Sequence, residues 1–266
     1  MQKFSFWALA LFASIFIIPA CKNDPNEDEI TGFGSVEIEF DNQADGSSLV
    51  FGKNYINAAG ESLQFTLFNY YISNVVLIKA DGTRFVVPKD KSYFLCKHEE
   101  PTTRLLEISD VPAGDYTGLE FMIGVDSAKS VSPIEQRIGV LDPAVGANGH
   151  YWSWNAGYIF MKVEGTSPAA STPENKFEYH IGLFGGFNSP TINNLKTIKL
   201  TVPGTAAKVR EGEHAPHFHL FVDALEIFKN PAVLSIATNP AAHADPFSAT
   251  IANNYADMFQ IDHVHN

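Results

Sequence analysis

Apolar and polar side chains alternate along much of this chain. Val36, Ile38 and Phe40 are separated by Glu37 and Glu39, the period of a strand with one face in a core and the other in water. Residues 63–78 form a long β-prone run that reads as two strands broken near Ser73-Asn74. Asp81-Gly82 then predicts a hairpin between residues 75–79 and 84–87. Residues 93–96, 105–108, 116–125, 177–184 and 195–202 continue the pattern, with Pro112-Ala113-Gly114-Asp115 as one of the turns. In residues 217–228, His217, His219 and Phe221 share one face while Phe218, Leu220 and Val222 share the other. Helical spacing occurs near the end, at Ile251, Tyr255, Met258 and Phe259. Two stretches, 127–149 and 166–176, are rich in Pro, Gly, Ser and Ala and read as long loops. Strands and turns at this spacing predict an all-β fold, a single-domain antiparallel β-sandwich with long loops and a short C-terminal helix.

The pattern changes at the start of the chain. Lys3 is followed by an apolar run over 4–18 and then by Ile18-Pro19-Ala20-Cys21. That run is shorter than the roughly 20 residues of a comfortable membrane span, and a small residue before cysteine marks a lipoprotein leader. The expected organisation is a signal peptide over 1–20, lipidation at Cys21, an acidic tether over 21–31 and one domain over 32–266. A lipid anchor of this kind places the protein in the cell envelope, attached to membrane. With Cys21 assigned, Cys96 is the one remaining cysteine, so no intramolecular disulfide is expected, and Cys96 reads as a small buried apolar residue.

The 266 residues carry a formal net charge of -12. That excludes nucleic acid, which needs clustered Lys and Arg against phosphate, and docking to anionic lipid through a basic patch. Familiar catalytic motifs are absent: no His-Glu-x-x-His, no Cys-x-x-Cys, no Gly-x-Ser-x-Gly elbow and no Gly-rich phosphate loop. No catalytic turnover is expected.

Two features suggest metal chemistry. Of three tryptophans, one, Trp7, lies in the leader; Trp152 and Trp154 stand two apart. Read as a strand, His150, Trp152 and Trp154 form a row on one face. Seven of nine histidines fall at or after residue 180, including His217-Phe218-His219 and His263-Val264-His265. A His-x-His pair on a strand puts two imidazoles on one face, and neutral imidazole suits copper and zinc. His98, His214 and His243 read as solvated loop residues.

Tyr70–Val75 (YYISNV), Leu141-Asp142-Pro143, the block from Tyr151 to Gly165 (YWSWNAGYIFMKVEG), Phe177–Gly182 (FEYHIG) and the closing Ile261–Asn266 (IDHVHN) resemble the MbnP-like family of exported copper-binding proteins from methanobactin gene clusters. The resemblance implies a β-rich fold and a single copper ion held by histidines and kynurenine, an oxidised tryptophan. It implies a di-haem cytochrome c peroxidase-like partner that makes the modification. Trp154, or else Trp152, is then the modified residue. His180 and His263 are the first ligands, with His265 next and His150 a further one, standing where the family often has methionine. An indole nitrogen only donates, whereas the opened ring carries an amine that can bind copper. Acquisition or storage of copper is the function implied. The alternative is a glycan- or protein-binding sandwich of an outer-membrane uptake system, with Trp152, Trp154 and Tyr158 as stacking surfaces.

Overall fold

A computed structural model describes residues 30–266. The leader, Cys21 and the tether up to residue 29 lie outside the described residues. Ten main strands are β1 (Phe33–Ala44), β2 (Ser62–Lys79), β3 (Tyr93–Lys97), β4 (Leu105–Pro112), β5 (Gly114–Ile123), β6 (Gly157–Thr166), β7 (Lys176–Gly182), β8 (Lys196–Thr201), β9 (His217–Asp223) and β10 (Phe259–His265). They form two packed sheets. The smaller runs β10-β9-β1, with β4 on the far side of β1. The larger runs β8-β5-β2-β6-β7, with β3 and several short strands attached.

Alternation explains the layering. Val36, Ile38 and Phe40 of β1, Phe218, Leu220 and Val222 of β9, and Ile261 of β10 turn inward and are buried. They meet Phe121, Ile123, Met161, Val163, Tyr179 and Ile181 of the larger sheet in one continuous core. Phe40, Phe121 and Phe259 lock the two sheets edge-to-face, with ring centroids 5.1–6.0 Å apart, a geometry that adds to plain burial. Most pairings are antiparallel, but β1 and β9 run parallel. Cys96 is buried in this core, and loss of solvation raises its thiol pKa.

The larger sheet has a second core on its outer face. Tyr71, Leu95, Tyr158, Phe160 and Phe184 pack there against Val125, Leu141 and Ala147. The 127–149 segment is therefore folded down onto the sheet. It holds a short helix, Ser127–Ser130, and 3-10 turns at Ile134–Gln136 and Gly139–Leu141. Tyr71 donates its hydroxyl to the carbonyl of Val140 at 2.6 Å, which fixes the cover to β2.

Three local expectations change. The 63–78 run is one strand, not two. Asn74 adopts φ 52°, and the ladder shifts register between Ser73 and Val76. This bulge bends β2 without ending it. The row of His150, Trp152 and Trp154 is not a continuous strand face. Only Tyr151–Trp152 is extended, and residues 153–156 turn back so that Trp152 pairs with Gly157. Gly157 has φ +71°, and a Cβ there would strike Phe184 at 2.9 Å, so the turn needs glycine. Finally, the helix is Phe247–Tyr255, and Phe259 opens β10 instead of extending the helix.

Candidate metal centre

The Trp turn is anchored on both sides. Asn155 sends its amide nitrogen to the Ser189 carbonyl at 2.8 Å and accepts from the Phe187 backbone N–H at 2.9 Å. Trp152 and Trp154 stack with centroids 5.3 Å apart and planes 30° from parallel. Trp152 lies over Gly182: a Cβ at Gly182 would sit 2.8 Å from its ring. Gly182 is two positions from His180 on β7, and alternation puts both on the outer face. The indole pair thus sits on the same sheet surface as His180. Trp154 is 51% exposed.

His180 is held by Glu164, with Glu178 near its other nitrogen. Its Nε2 is 2.8 Å from Glu164 Oε1, and its Nδ1 is 4.0 Å from Glu178 Oε1. Burial lowers its pKa, outweighing the Glu164 hydrogen bond that raises it, and Lys162 lowers it further. The ring is neutral at pH 7, as a ligand must be. A ligating histidine typically gives its second nitrogen to a carboxylate, which fixes ring and tautomer, and Glu164 is so placed.

His150 lies beneath the folded-down cover, 1% exposed. Its Nδ1 faces the Ile159 carbonyl at 3.2 Å, and its ring meets Tyr71 edge-on at 5.9 Å. Donation from Nδ1 leaves the lone pair on Nε2. Burial pushes its pKa down to about 3, with Lys162 and His180 both disfavouring the charge.

Sequence reasoning missed His243. A short strand, Ala241–Ala242, pairs in parallel with Glu178 and Tyr179 of β7. It delivers His243 Nε2 to 2.6 Å from Glu178 Oε1, with the His180 ring 5.1 Å away. Glu178, His180 and His243 each offer a donor atom within 4.8 Å of the others. Nothing local signalled this, because the contact depends on a pairing 65 residues apart.

His263 and His265 are not part of this group. They lie on β10, on the outer face of the smaller sheet, opposite His219 and His217 of β9. The structure therefore joins Trp152, Trp154, His180 and His150 on one sheet and puts His263 and His265 on the other.

The outer face of the larger sheet thus carries a stacked indole pair and a group of candidate metal donors, Glu178, His180 and His243. The chain belongs to the MbnP family, whose model matches residues 33–245. Among solved structures its fold is similar to MbnP from Methylosinus trichosporium, at 16% identity and a TM-score of 0.51, covering 81% of this chain and 82% of that one. No curated protein matches.

Proposed function

We propose that this protein is an exported, lipid-anchored copper-binding protein that holds one copper ion on the outer face of its larger sheet. The ligands are His180, with His150 or His243, and one of Trp152 and Trp154 after oxidation to kynurenine. Copper is cargo, taken up or stored without turnover. A di-haem cytochrome c peroxidase-like enzyme makes the modification, and Cys21 carries the anchor in the cell envelope.

The observation that carries this reading is Trp152 lying over Gly182, two residues from a His180 ring that burial keeps neutral. Neutral imidazole and amine nitrogens in a partly desolvated place suit copper. The exposed Trp154 leaves an indole open to an oxidising partner.

The test is co-expression with the di-haem enzyme, followed by peptide mass analysis across Gly149–Lys162 and metal analysis. One tryptophan at the mass of kynurenine and one copper per chain are expected. Two unmodified tryptophans and no copper would refute the reading.

A glycan- or protein-binding role is the second reading. Trp154 and Phe187, 51% and 49% exposed, border a cleft of about 230 Å³ lined also by Arg137, Tyr151 and Asn188. Aromatic faces flanked by hydrogen-bonding groups suit a sugar ring. Tryptophan fluorescence separates the two: quenching by copper and not by glycans supports the first, and the reverse supports the second.

A further inference from the structure

The outer face of the smaller sheet carries a cross-strand ladder. Glu37 of β1, His217 of β9 and His265 of β10 lie in one row, and Glu39, His219 and His263 in the next. His217 and His219 each stand near β1 carboxylates, with His217 Nε2 at 3.1 Å from Glu39 and His219 Nε2 at 3.9 Å from Asp41.

The register of β10 is irregular here. His263 faces His219, but Ile261 faces Leu220, so Asp262 is an extra residue in the ladder. In a regular strand, Asp262 and His263 would point to opposite faces. The bulge turns both outward. Asp262 Oδ2 lies 2.6 Å from His263 Nδ1 and 3.5 Å from His219 Nδ1. Bulges commonly re-aim a side chain beside a functional site.

Donor atoms converge at this point. His219, Asp262 and His263 each offer one within 4.8 Å of the others. His263 Nε2 and His265 Nε2 are 2.7 Å apart. Two nitrogens on one tetrahedral zinc stand about 3.3 Å apart, so a small side-chain rotation would seat an ion between them. His219 Nδ1 is shut from solvent and makes no hydrogen bond. A buried imidazole nitrogen left without a partner is one that a bound cation would satisfy.

We propose that His219, His263 and His265, with Asp262, form a second metal site for a borderline divalent cation, Zn²⁺ or Cu²⁺. It is separate from the indole site and does not depend on tryptophan oxidation. Three imidazoles and a carboxylate match such an ion in softness and number. Glu37, Glu39 and Asp41 supply negative charge beside it and attract a dication. The ion would join β10 to β9 and tie down the outermost strand of this sheet.

The test is a calorimetric titration of the metal-free mature chain with Zn²⁺ alone, in the His180→Ala/His243→Ala variant so that the other imidazole cluster is silent. One Zn²⁺ is expected to bind, with a rise in Tm. Adding His263→Ala/His265→Ala should abolish both, and adding His219→Ala alone should weaken binding by more than about 100-fold, beyond the 10–100-fold cost of losing a second-shell partner. Circular dichroism checks that each variant folds. Should β10 be lost in the double variant, His265→Asn alone, at a solvent-facing position, serves in its place and should weaken binding by more than about 10-fold. Unchanged zinc binding in folded His219→Ala and His265→Asn variants overturns the site, as does absence of zinc binding in the starting variant.

Discussion

The two outer faces of this sandwich carry the same chemical group in different degrees of shelter. On the larger sheet His150 and His180 are sheltered, with Glu164 and Glu178 beside His180 and the more open His243. His150 is beneath a folded-down cover with its pKa pushed to about 3, and the nearby cation Lys162 further discourages charge at both His150 and His180. On the smaller sheet the imidazoles stand in an open ladder beside Glu37, Glu39, Asp41 and Asp262. The first environment is the more sheltered, with two carboxylates and a lysine near its imidazoles, and the second is the more open and the richer in carboxylates. Shelter and charge, not the number of histidines, separate the two faces.

The separation can be tested by exchange. The largest expected effect is His180→Ala, which should abolish copper retention at the indole face while leaving zinc binding by the ladder unchanged. His263→Ala/His265→Ala should do the reverse, with kynurenine still formed. Equilibrium dialysis against each metal reads both, and loss of both metals in either variant would merge the faces into one site.

A second effect is acid sensitivity. Unfolded, His150 takes a proton near 6.5; folded, only near 3. Between those values the unfolded chain binds more protons, so stability is lost as pH falls from 6.5 toward 3. From pH 7 to pH 5 this amounts to about 2 kcal/mol, at roughly 1.4 kcal/mol per unit crossed. Urea midpoints at the two pH values should show that difference, and His150→Leu should remove most of it. The lowered pKa of His180 acts in the same direction.

Smaller is Glu164→Gln, which keeps the size of the side chain but weakens its hold on His180. Copper affinity should fall by about 10-fold, the low end for losing a carboxylate that orients a ligating imidazole, with stability little changed. The smallest is His265→Asn without metal. At an exposed position it should alter the urea midpoint by no more than about 0.5 kcal/mol, in contrast with the buried His150.

Strand alternation carried most of the fold. Val36, Ile38 and Phe40 turn inward as their spacing predicts, and Asp81-Gly82 sits at the tip of the expected hairpin, with Val76 paired to Val86 and Ile78 to Arg84. The irregularity near Ser73-Asn74 was legible, but as a break: a single residue in a left-handed conformation shifts the ladder without ending the strand. The short strand before His243 was too brief to show a period. The site was half legible. The Trp-x-Trp block and His180 announced themselves, yet the division between sheets could not be read from residue types, since alternation fixes which face of a strand is outward but not which sheet the strand joins. Likewise the loop reading of 127–149 missed that its Leu141 and Ala147 bury themselves on Tyr158 and Phe160.

The parallel pairing of β1 with β9 has a consequence for assembly. Glu39 meets His217, 178 positions away in sequence, while β2 and β5 join through nearer neighbours. Contacts so distant in sequence are slow to close. The β1–β9 pairing therefore closes a longer loop, at a higher cost in chain entropy, than the β2–β5 pairing, and a cation held across β9 and β10 would help hold that face together.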